Sequence, residues 1–365
     1  MENAKLESSS GIPDFQRNSS SQDSSGNKKI SPNSNTSKDI SRALPNNTDA
    51  EKGVLSAMLQ SPDEIATEAI QILDPNAFYV PSHKVLYELI IKLSDEGKPI
   101  DGVIHFAGLK VVAESVVNPI KYWDNNVIGS FNLIQSMNEN NCKTIVFSSS
   151  ATVYGNNFDQ LISESSNINP NNPYGSTKLV VENLLNDIQD KNSTEWKIAI
   201  LRYFNPIGAH YSGLIGENPL EKPNNVFPLI INAAYEKNKL RVFGNDWPTK
   251  DGTCIRDFIH VMDLADSHLR ALDFLLKNKS QLIRLNIGTG KGHSVLELIK
   301  IFEIINKVKV TFVFSKRRDG DSCKLVADIS KAKSILNWVP KRSLEDMCKS
   351  GWAWKIKNPS GYESE

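Results

Sequence analysis

Cysteine is scarce in this sequence, and no apolar stretch is long. The four cysteines, Cys142, Cys254, Cys323 and Cys348, lie 112, 69 and 25 residues apart. This spacing fits neither a disulfide framework nor a CxxC metal site, so we expect reduced thiols and no bound metal. No apolar run approaches the roughly 20 residues of a membrane span, and the polar N-terminus lacks a signal-peptide core. We therefore expect a cytoplasmic protein that contacts no membrane.

An excess of positive charge is also absent. Lys plus Arg and Asp plus Glu both number 42, so the net charge is zero, which argues against direct nucleic-acid binding. The chain has no GxxxxGK[ST] phosphate loop, so we expect no P-loop motor activity. Glycine is rare at the start: residues 1–100 hold only Gly11, Gly26, Gly53 and Gly97, and no two of them are close.

The composition divides the chain into three parts. Residues 1–43 contain twelve serines and few large apolar side chains, so burial cannot offset the entropy of ordering, and we predict a disordered Ser/Asn-rich tail. Residues 44–100 open with a capping box, Thr48 followed by Glu51. Their apolar residues then recur at helical spacing, which predicts a small all-α bundle.

Residues 101–362 have an α/β pattern. The apolar runs VIHFA, KTIVFSSS, KIAILRYF and LIRLNIG alternate with helical stretches such as STKLVVENLLNDI. Strands separated by helices imply a parallel sheet that is covered on both faces. We therefore predict an α/β domain built on a partial Rossmann-type sheet.

One group of side chains indicates chemistry. Ser150 ends the strand KTIVFSSS, and Tyr174 and Lys178 stand four residues apart after Asn172-Pro173, where a helix is predicted to begin. Residues i and i+4 share one helix face, and a neighbouring ammonium group favours the phenolate, so we expect a lowered pKa for Tyr174. That would make Tyr174 a base for a sugar hydroxyl. A YxxxK motif alone is weak, because the same pair often lies on a solvated helix face.

The surrounding segments resemble the UDP-glucose 4-epimerase family. The matching stretches are VIHFAGLK, FSSSATVYG, NPYGSTKLVVE, LRYFNPIGAH, FGNDWPTKDGTCIRDFIHVMDLADSH, LNIGTGKGHSVLE and RRDGD. The resemblance implies an extended short-chain dehydrogenase/reductase fold over residues 101–362, with a C-terminal substrate domain formed mainly by residues 203–235 and 243–345. It also implies NAD as cofactor, UDP-glucose and UDP-galactose as substrates in galactose metabolism, and a homodimer.

The same resemblance implies a role for individual residues. Tyr174 would take the proton from the 4′-hydroxyl, Lys178 would tune Tyr174 and hold the nicotinamide ribose, and Ser150 would bind the same hydroxyl. Hydride would pass to NAD and return to the other face of the 4-ketose. The further residues that match cofactor contacts are Phe106, Ala107, Gly108, Lys110, Asn125 and Tyr203. Those that match UDP-sugar contacts are Asn205, Asn225, Arg256, Arg318 and Asp321.

Residues 44–100 resemble a different family, the N-terminal domain of the bacterial replicative DNA helicase. The segments DAEKGVLSAML, AFYVPSHKVLYELI and GKPID carry this resemblance. In that family the domain has no catalytic role, so the resemblance implies subunit assembly and contact with helicase or primase.

The epimerase family begins with a glycine-rich turn that binds the NAD pyrophosphate, and residues 1–100 contain no such turn. The later GTGKG segment fits neither the dinucleotide nor the P-loop pattern, and we interpret it as a structural turn. We expect a gene-fusion junction near Ile100-Asp101, weak NAD binding and impaired epimerase activity. Leu325 stands where the family often has a tyrosine that closes the sugar pocket, which would admit N-acetylated sugars.

Three hypotheses remain open from the sequence. The chain is an epimerase homologue, active only if the missing front part is supplied. Alternatively, residues 44–100 act as a helicase-type assembly module without catalytic activity, or the whole chain is a non-functional fusion.

Overall fold

The computed structural model of the chain describes residues 54–55, 58, 67–77, 84, 87–88, 91–92, 100–156, 161–191, 195–219, 223–318 and 321–362. The predicted tail over residues 1–43 and the predicted capping box at Thr48 and Glu51 lie outside these ranges. Among the described residues we find no helix whose length and apolarity would let it cross a lipid bilayer.

The first described residues are helical, in agreement with the predicted all-α segment. Helix α1 spans Thr67–Ile72, and residues 54–55, 58, 84, 87–88 and 91–92 are also α-helical. Leu55, Met58, Ala69 and Tyr87 form a small buried apolar cluster. The Tyr87 hydroxyl donates to the carbonyl oxygens of Leu73 at 2.7 Å and Ala69 at 3.2 Å, so a buried phenol joins the helical pieces.

The rest of the chain alternates strands and helices. The strands are β1 (Val103–His105), β2 (Thr144–Ser150), β3 (Lys197–Tyr203), β4 (Asn205–Ile207), β5 (Leu240–Phe243), β6 (Ile255–Arg256), β7 (Phe258–His260), β8 (Gln281–Ile287), β9 (His293–Ser294), β10 (Phe312–Ser315) and β11 (Lys324–Leu325). The helices are α2 (Val112–Val117), α3 (Pro119–Tyr122), α4 (Gly129–Glu139), α5 (Pro173–Lys191), α6 (Val226–Glu236), α7 (Val261–Lys277), α8 (Val295–Asn306), α9 (Ser330–Leu336) and α10 (Leu344–Lys357), with a π-helical segment at Trp123–Ile128.

The main sheet has the strand order β1-β2-β3-β8, and each of its pairs is parallel. Alternate residues of β2 point to opposite faces. Ile145 and Phe147 pack with α4 and α5, whereas Val146 packs with α7 and α9. The sheet is therefore covered on both faces, as the apolar runs predicted. This is typical of parallel sheets, because the helices that connect their strands pack on the two faces.

The C-terminal part adds smaller sheets around a second core. β5 pairs with β10, β4 pairs with β7, and β6 lies between β11 and β9. The β6–β9 pair is antiparallel, a detail that the alternation of strands and helices did not predict. Helices α6, α8 and α10 enclose the core of this part. Two of its short strands, β4 and β6, carry the predicted substrate residues Asn205 and Arg256.

A buried ion pair fastens α5 to the sheet. The Arg202 guanidinium in β3 binds both carboxylate oxygens of Glu182 in α5, and both side chains are 2% exposed. Ser149 donates to the same carboxylate, and Arg202 also donates to the Tyr154 hydroxyl at 3.0 Å. Every member of this network has a hydrogen-bond partner, which buried charges require.

Candidate active site

The carboxyl end of β2 forms the floor of the candidate site. Ser150 ends the strand, and its hydroxyl accepts hydrogen bonds from the Thr152 N–H at 3.2 Å and the Thr152 hydroxyl at 3.0 Å. The 3-10 turn Ala151–Tyr154 follows and closes at Gly155, whose φ is +61°. A Cβ atom at Gly155 would lie 1.9 Å from the Asn169 carbonyl oxygen. Glycine is therefore required for this close approach.

Helix α5 brings the predicted tyrosine and lysine to the same place. Both Tyr174 and Lys178 are 5% exposed. The Lys178 ammonium donates to the Ser148 carbonyl at 2.9 Å and lies 6.0 Å from the centre of the Tyr174 ring. Tyr174 is close enough to Ser150 for a side-chain hydrogen bond that influences its pKa. The three predicted catalytic side chains thus converge at the end of β2.

The predicted lowering of the Tyr174 pKa is wrong for this structure. Burial raises the pKa of Tyr174 far above its usual value, Tyr203 raises it further, and the hydrogen bond with Ser150 only partly opposes this. Burial also lowers the pKa of Lys178 to about 8, although Glu182 acts in the other direction. Spacing alone predicted the neighbouring lysine but not the depth of burial, which penalises both charged forms.

The predicted cofactor contacts line the loop after β1. Gly108 has a φ of +152°, and a Cβ atom there would lie 3.2 Å from the Asn126 amide oxygen and 3.6 Å from the Lys178 ammonium. The loop therefore passes close to Lys178, the predicted catalytic lysine. Phe106 stacks near His268, with ring centres 4.5 Å apart, and Lys110 forms a 3.0 Å ion pair with Glu217.

The other predicted cofactor contacts lie at the same edge. Ala107 is exposed between Phe106 and Gly108, and Asn125 is exposed in the π-helical segment. Tyr203 is the ladder partner of Ser150. All of these are consistent with a ligand running over the ends of β1, β2 and β3, where open parallel sheets bind their ligands.

A second cluster gathers predicted substrate contacts. The Arg256 guanidinium donates to the Ser322 carbonyl at 2.8 Å and lies 3.7 Å from the Asp321 carboxylate. Arg318 stacks on the Phe243 ring at 3.9 Å. Burial lowers the pKa of Arg318, and the charge of Asp321 offsets only part of this effect. Among the described residues, no carboxylate therefore fully compensates the positive charge of this half-buried guanidinium.

The two remaining predicted substrate residues occupy defined places in the fold. Arg318 donates to the Asn224 carbonyl at 3.4 Å, which places it beside Asn225, the residue preceding α6. Asn205 begins β4, and its N–H donates to the Asp257 carbonyl at 3.0 Å. The structure places the Arg256 guanidinium 3.7 Å from the Asp321 carboxylate, and the Asp321 N–H donates to the Arg318 carbonyl at 3.3 Å. Asn225 is joined to this group through its neighbour Asn224, whereas Asn205 pairs with Phe258 of β7.

The two clusters share one wall. The Ser322 hydroxyl donates to the Asn156 side chain at 2.8 Å, and Ile162 forms a bridge with Ala327. The turn after Ser150 therefore packs on the segment that carries Asp321. This contact places the predicted catalytic residues Ser150, Tyr174 and Lys178 on a part of the fold that adjoins the arginine cluster (Arg256, Arg318 and Asp321).

The GTGKG segment is a structural turn, as expected. The Asp257 carboxylate accepts hydrogen bonds from the Thr289 N–H at 2.7 Å, the Thr289 hydroxyl at 2.6 Å, the Gly290 N–H at 2.9 Å and the Ala327 N–H at 3.2 Å. A Cβ atom at Gly288 would lie 2.5 Å from this carboxylate. The glycine therefore makes room for an internal aspartate.

Two positioning features were not predicted from the sequence. The Asn126 side chain binds both the N–H of Leu109 at 2.7 Å and its carbonyl at 3.0 Å, and so holds the loop after β1. The Glu182–Arg202 pair holds α5 against β3. The sequence does contain a signal for this ion pair, because each of two apolar runs includes one charged residue: Glu182 in STKLVVENLL and Arg202 in KIAILRYF. Within the described ranges no group of three His, Cys, Asp or Glu side chains is arranged to hold a metal ion.

Comparisons with known proteins agree with this geometry. The family profile described as GDP-mannose 4,6 dehydratase matches residues 88–351, and the DnaB-like helicase N terminal domain profile matches residues 43–111. The UDP-glucose 4-epimerase of Bacillus subtilis (strain 168) is 50% identical over 266 residues, which cover 73% of this chain and 78% of that protein. UDP-glucose 4-epimerase 2 of Arabidopsis thaliana is 48% identical over 274 residues, which cover 75% and 78%.

Solved structures give the same result. The chain is similar to UDP-glucose-4-epimerase from Stenotrophomonas maltophila, which has bound NAD and formylated UDP-arabinopyranose, with a TM-score of 0.70, 45% identity and coverage of 74% and 79%. The enzyme from Bifidobacterium longum in complex with NAD+ and UDP gives a TM-score of 0.70 at 42% identity, with coverage of 75% and 82%. On this sequence match and this fold, the chain belongs to the UDP-glucose 4-epimerase family.

Proposed function

We propose that residues 101–362 form a UDP-hexose 4-epimerase site for the interconversion of UDP-glucose and UDP-galactose by transient oxidation at C4. The observation that carries this proposal is the convergence of Ser150, Tyr174 and Lys178 at the carboxyl end of β2. An alcohol is oxidised only if its proton leaves with the hydride, and this group of side chains supplies a base for that proton.

Tyr174 is the proton acceptor in this proposal. Burial raises its pKa, so the phenolate is disfavoured by its surroundings in the protein. With a pKa of about 8, Lys178 is mostly charged at neutral pH, and its ammonium lowers the cost of the phenolate. Ser150 donates to the sugar oxygen and fixes its distance from the phenol. We expect substrate and cofactor to shift both pKa values toward proton transfer.

The arginine cluster binds the diphosphate of the substrate. Arg318 and Arg256 present guanidinium groups that match phosphate oxygens in charge and planar geometry. Asp321 holds Arg256 at 3.7 Å. Asn225 and Asn205 supply amide groups for the uridine and sugar hydroxyls.

The residues present fit the nicotinamide end of NAD but not its pyrophosphate end. When bound, NAD supplies the hydride acceptor for the oxidation. Gly108 leaves space between Asn126 and the Lys178 ammonium, and the exposed positions Phe106, Ala107 and Asn125 border it, so these residues would hold the nicotinamide end. The pyrophosphate end lacks a glycine-rich turn in residues 1–100. We infer that NAD binds weakly and that epimerase activity is impaired, because the main anion site of the fold is replaced.

Two binding measurements and one assay test these statements separately. The purified full-length chain is titrated with UDP and with NAD by calorimetry, and UDP-galactose turnover is measured with saturating NAD. We expect UDP binding that Arg318→Ala weakens, weak NAD binding, and turnover that Tyr174→Phe abolishes. Absence of UDP binding would contradict the proposed site, whereas tight NAD binding with rapid turnover would contradict the impairment alone.

Several exposed apolar side chains support the proposed homodimer. Val116, Val117, Ile120 and Phe131 are exposed on α2, α3 and α4. We propose that a second copy covers them, since burial of apolar side chains favours association. The free thiols Cys142, Cys254, Cys323 and Cys348 fit the proposed cytoplasmic location.

A second candidate function rests on the DnaB-like match over residues 43–111 and the apolar cluster around Tyr87. In this alternative the helical part is an assembly or primase-contact module. A pull-down with purified replicative helicase and primase tests it directly. Capture that Tyr87→Ala removes would favour the module, and no capture together with UDP binding would favour the epimerase site. A chain that shows neither would be a non-functional fusion.

A further inference from the structure

Two cysteines lie side by side within the arginine cluster. β6 and β11 are parallel, with Ile255 opposite Lys324, and the Ile255 N–H donates to the Cys323 carbonyl at 2.8 Å. One residue earlier, the same register sets Cys254 beside Cys323. Aligned residues of neighbouring strands point to the same face, so both thiols lie on one side of the small sheet.

The backbone separation suits a disulfide. Neighbouring strands lie about 4.8 Å apart, and bridged cysteines have Cα atoms about 4.4–6.8 Å apart. Both thiols are free, Cys254 being buried and Cys323 half-buried. Burial raises the pKa of Cys254, while Arg256 lowers it, and Asp321 and Cys323 are both close enough to raise it. The Cys254 side chain therefore packs at the edge of the second apolar core, near enough to Arg256 and Asp321 for their charges to influence its pKa.

We propose that Cys254 and Cys323 form a dithiol modification site whose reactant is a low-molecular-weight disulfide such as oxidised glutathione. Cys323, the more exposed thiol, loses its proton and attacks one sulfur of the oxidant, so that the S–S bond of the oxidant breaks and one thiol leaves. Cys254 then attacks the Cys323 sulfur, and the second thiol leaves. Two cysteine thiols lose two electrons, the oxidant gains them, and the two protons end on the released thiols.

The bridge would act on the adjoining arginine. A disulfide brings its Cβ atoms to about 3.8 Å, closer than the strand spacing of about 4.8 Å. The Ser322 carbonyl, next to Cys323, accepts from Arg256 at 2.8 Å, so the guanidinium shifts with the strand. This consequence rests on the proposed function: the oxidised chain binds UDP more weakly than the reduced chain.

Peptide mapping tests the site in the full-length chain. The chain is treated with oxidised glutathione at pH 8, quenched with acid, alkylated after denaturation and digested with trypsin. Cys254 falls in peptide 251–256 and Cys323 in peptide 319–324. We expect these two peptides to be joined, with two of the four thiols lost to alkylation. Cys142 and Cys348 should not react with glutathione and should be alkylated after denaturation. Burial raises the pKa of both thiols, that of Cys348 to about 12, which disfavours the reactive thiolate.

Single substitutions separate the two steps. Cys254→Ser should stop at a stable glutathione adduct on Cys323, Cys323→Ser should leave Cys254 unmodified, and Cys348→Ser should keep the cross-link. A stable adduct on Cys323 in the unsubstituted chain, or equal reaction of all four thiols, would overturn the proposal. Cross-linking without UDP binding in either state would defeat the proposed function and leave the dithiol site. Equal UDP affinity in both states would overturn the coupling.

Discussion

Leu325 lies in β11 directly opposite Arg256 and packs against the apolar cluster around Tyr154. It is half-buried, and as the ladder partner of Arg256 it lies beside the arginine cluster. The resemblance to the epimerase family predicts a tyrosine that closes the sugar pocket at this position. We expect the leucine to leave room for a 2-acetamido group.

Substitution Leu325→Tyr should therefore discriminate between substrates. We expect about tenfold weaker binding of UDP-N-acetylglucosamine, which corresponds to about 1.4 kcal/mol, because the larger ring occupies the space of the acetamido group. UDP-glucose should change little. Calorimetric titration of the full-length chain measures both, and Leu325→Met, which conserves volume, serves as the control. Equal loss for both sugars would show that Leu325 does not border the sugar.

Two buried histidines give the molecule an acid-sensitive stability. Burial lowers the pKa of His260 to about 4, with Arg342 acting in the same direction, and burial together with Lys178 lowers that of His105 to about 4. Histidine in an unfolded chain titrates near pH 6.5. Between pH 6.5 and pH 4 the unfolded chain therefore binds more protons, so stability falls as the pH falls through this window.

The expected result is a melting temperature that decreases from pH 6.5 to pH 4, with a shallower slope in His260→Gln. Differential scanning fluorimetry over a pH series measures it. The His260 Nε2 contacts the Ser350 hydroxyl at 3.1 Å, so Ser350→Ala removes that contact but keeps the imidazole. Ser350→Ala should retain the original slope; a slope as shallow as that of His260→Gln would contradict the assignment.

The positions of the site side chains were predictable from the sequence, but their pKa values and hydrogen-bond partners were not. The sequence placed Ser150, Tyr174 and Lys178 together correctly, because strand ends and helical spacing are local properties. It gave the wrong direction for the Tyr174 pKa, because burial depends on chain segments far away in sequence, such as β3 with Tyr203. The role of Asn126 was missed for the same reason, since its partner Leu109 lies 17 residues earlier.

At the scale of elements, α5 depends on its ion pair with β3. Burial lowers the pKa of Arg202, but the hydrogen bond and charge of Glu182 outweigh this and raise it overall. Both members are almost completely buried. Removing one partner leaves an uncompensated buried charge, which costs about 3–5 kcal/mol.

Glu182→Gln should therefore lower the free energy of unfolding by about 3 kcal/mol, measured by urea denaturation. The exposed pair Lys277–Asp273, whose side chains are 70% and 62% exposed, provides the matched control. Asp273→Asn should change stability by less than about 0.5 kcal/mol. Similar losses for both substitutions would contradict a special role for the buried pair.

The main elements were predictable because their patterns are strong. Strands β2, β3 and β8 are apolar runs bounded by polar residues, and α5 begins at Pro173 with sustained helical spacing. The short strands β6, β9 and β11 were not separable from loops, because two residues carry no periodicity. Their pairing is set by tertiary contacts around Asp257 and Cys254.

At the scale of the whole molecule, the exposed apolar surface predicts self-association. Ile120 and Val117 are 84% and 76% exposed, so a second copy would bury them. We expect light scattering after size exclusion to give the mass of a dimer and the double substitution Val117→Glu, Ile120→Glu to give a monomer. Leu214→Glu, at a residue that is 71% exposed, should leave the dimer intact. A monomer before substitution would contradict the prediction.

The hydrogen bonds of the Asp257 carboxylate have a consequence for the order in which the chain folds. Its carboxylate reaches partners 32, 33 and 70 residues further along the chain. Until Ala327 has been synthesised, the aspartate lacks one of the donors that offset its desolvation, since burial raises its pKa. A nascent chain that ends before that point holds this aspartate incompletely satisfied. The C-terminal half therefore cannot complete this set of hydrogen bonds until the segment that carries Ala327 is in place.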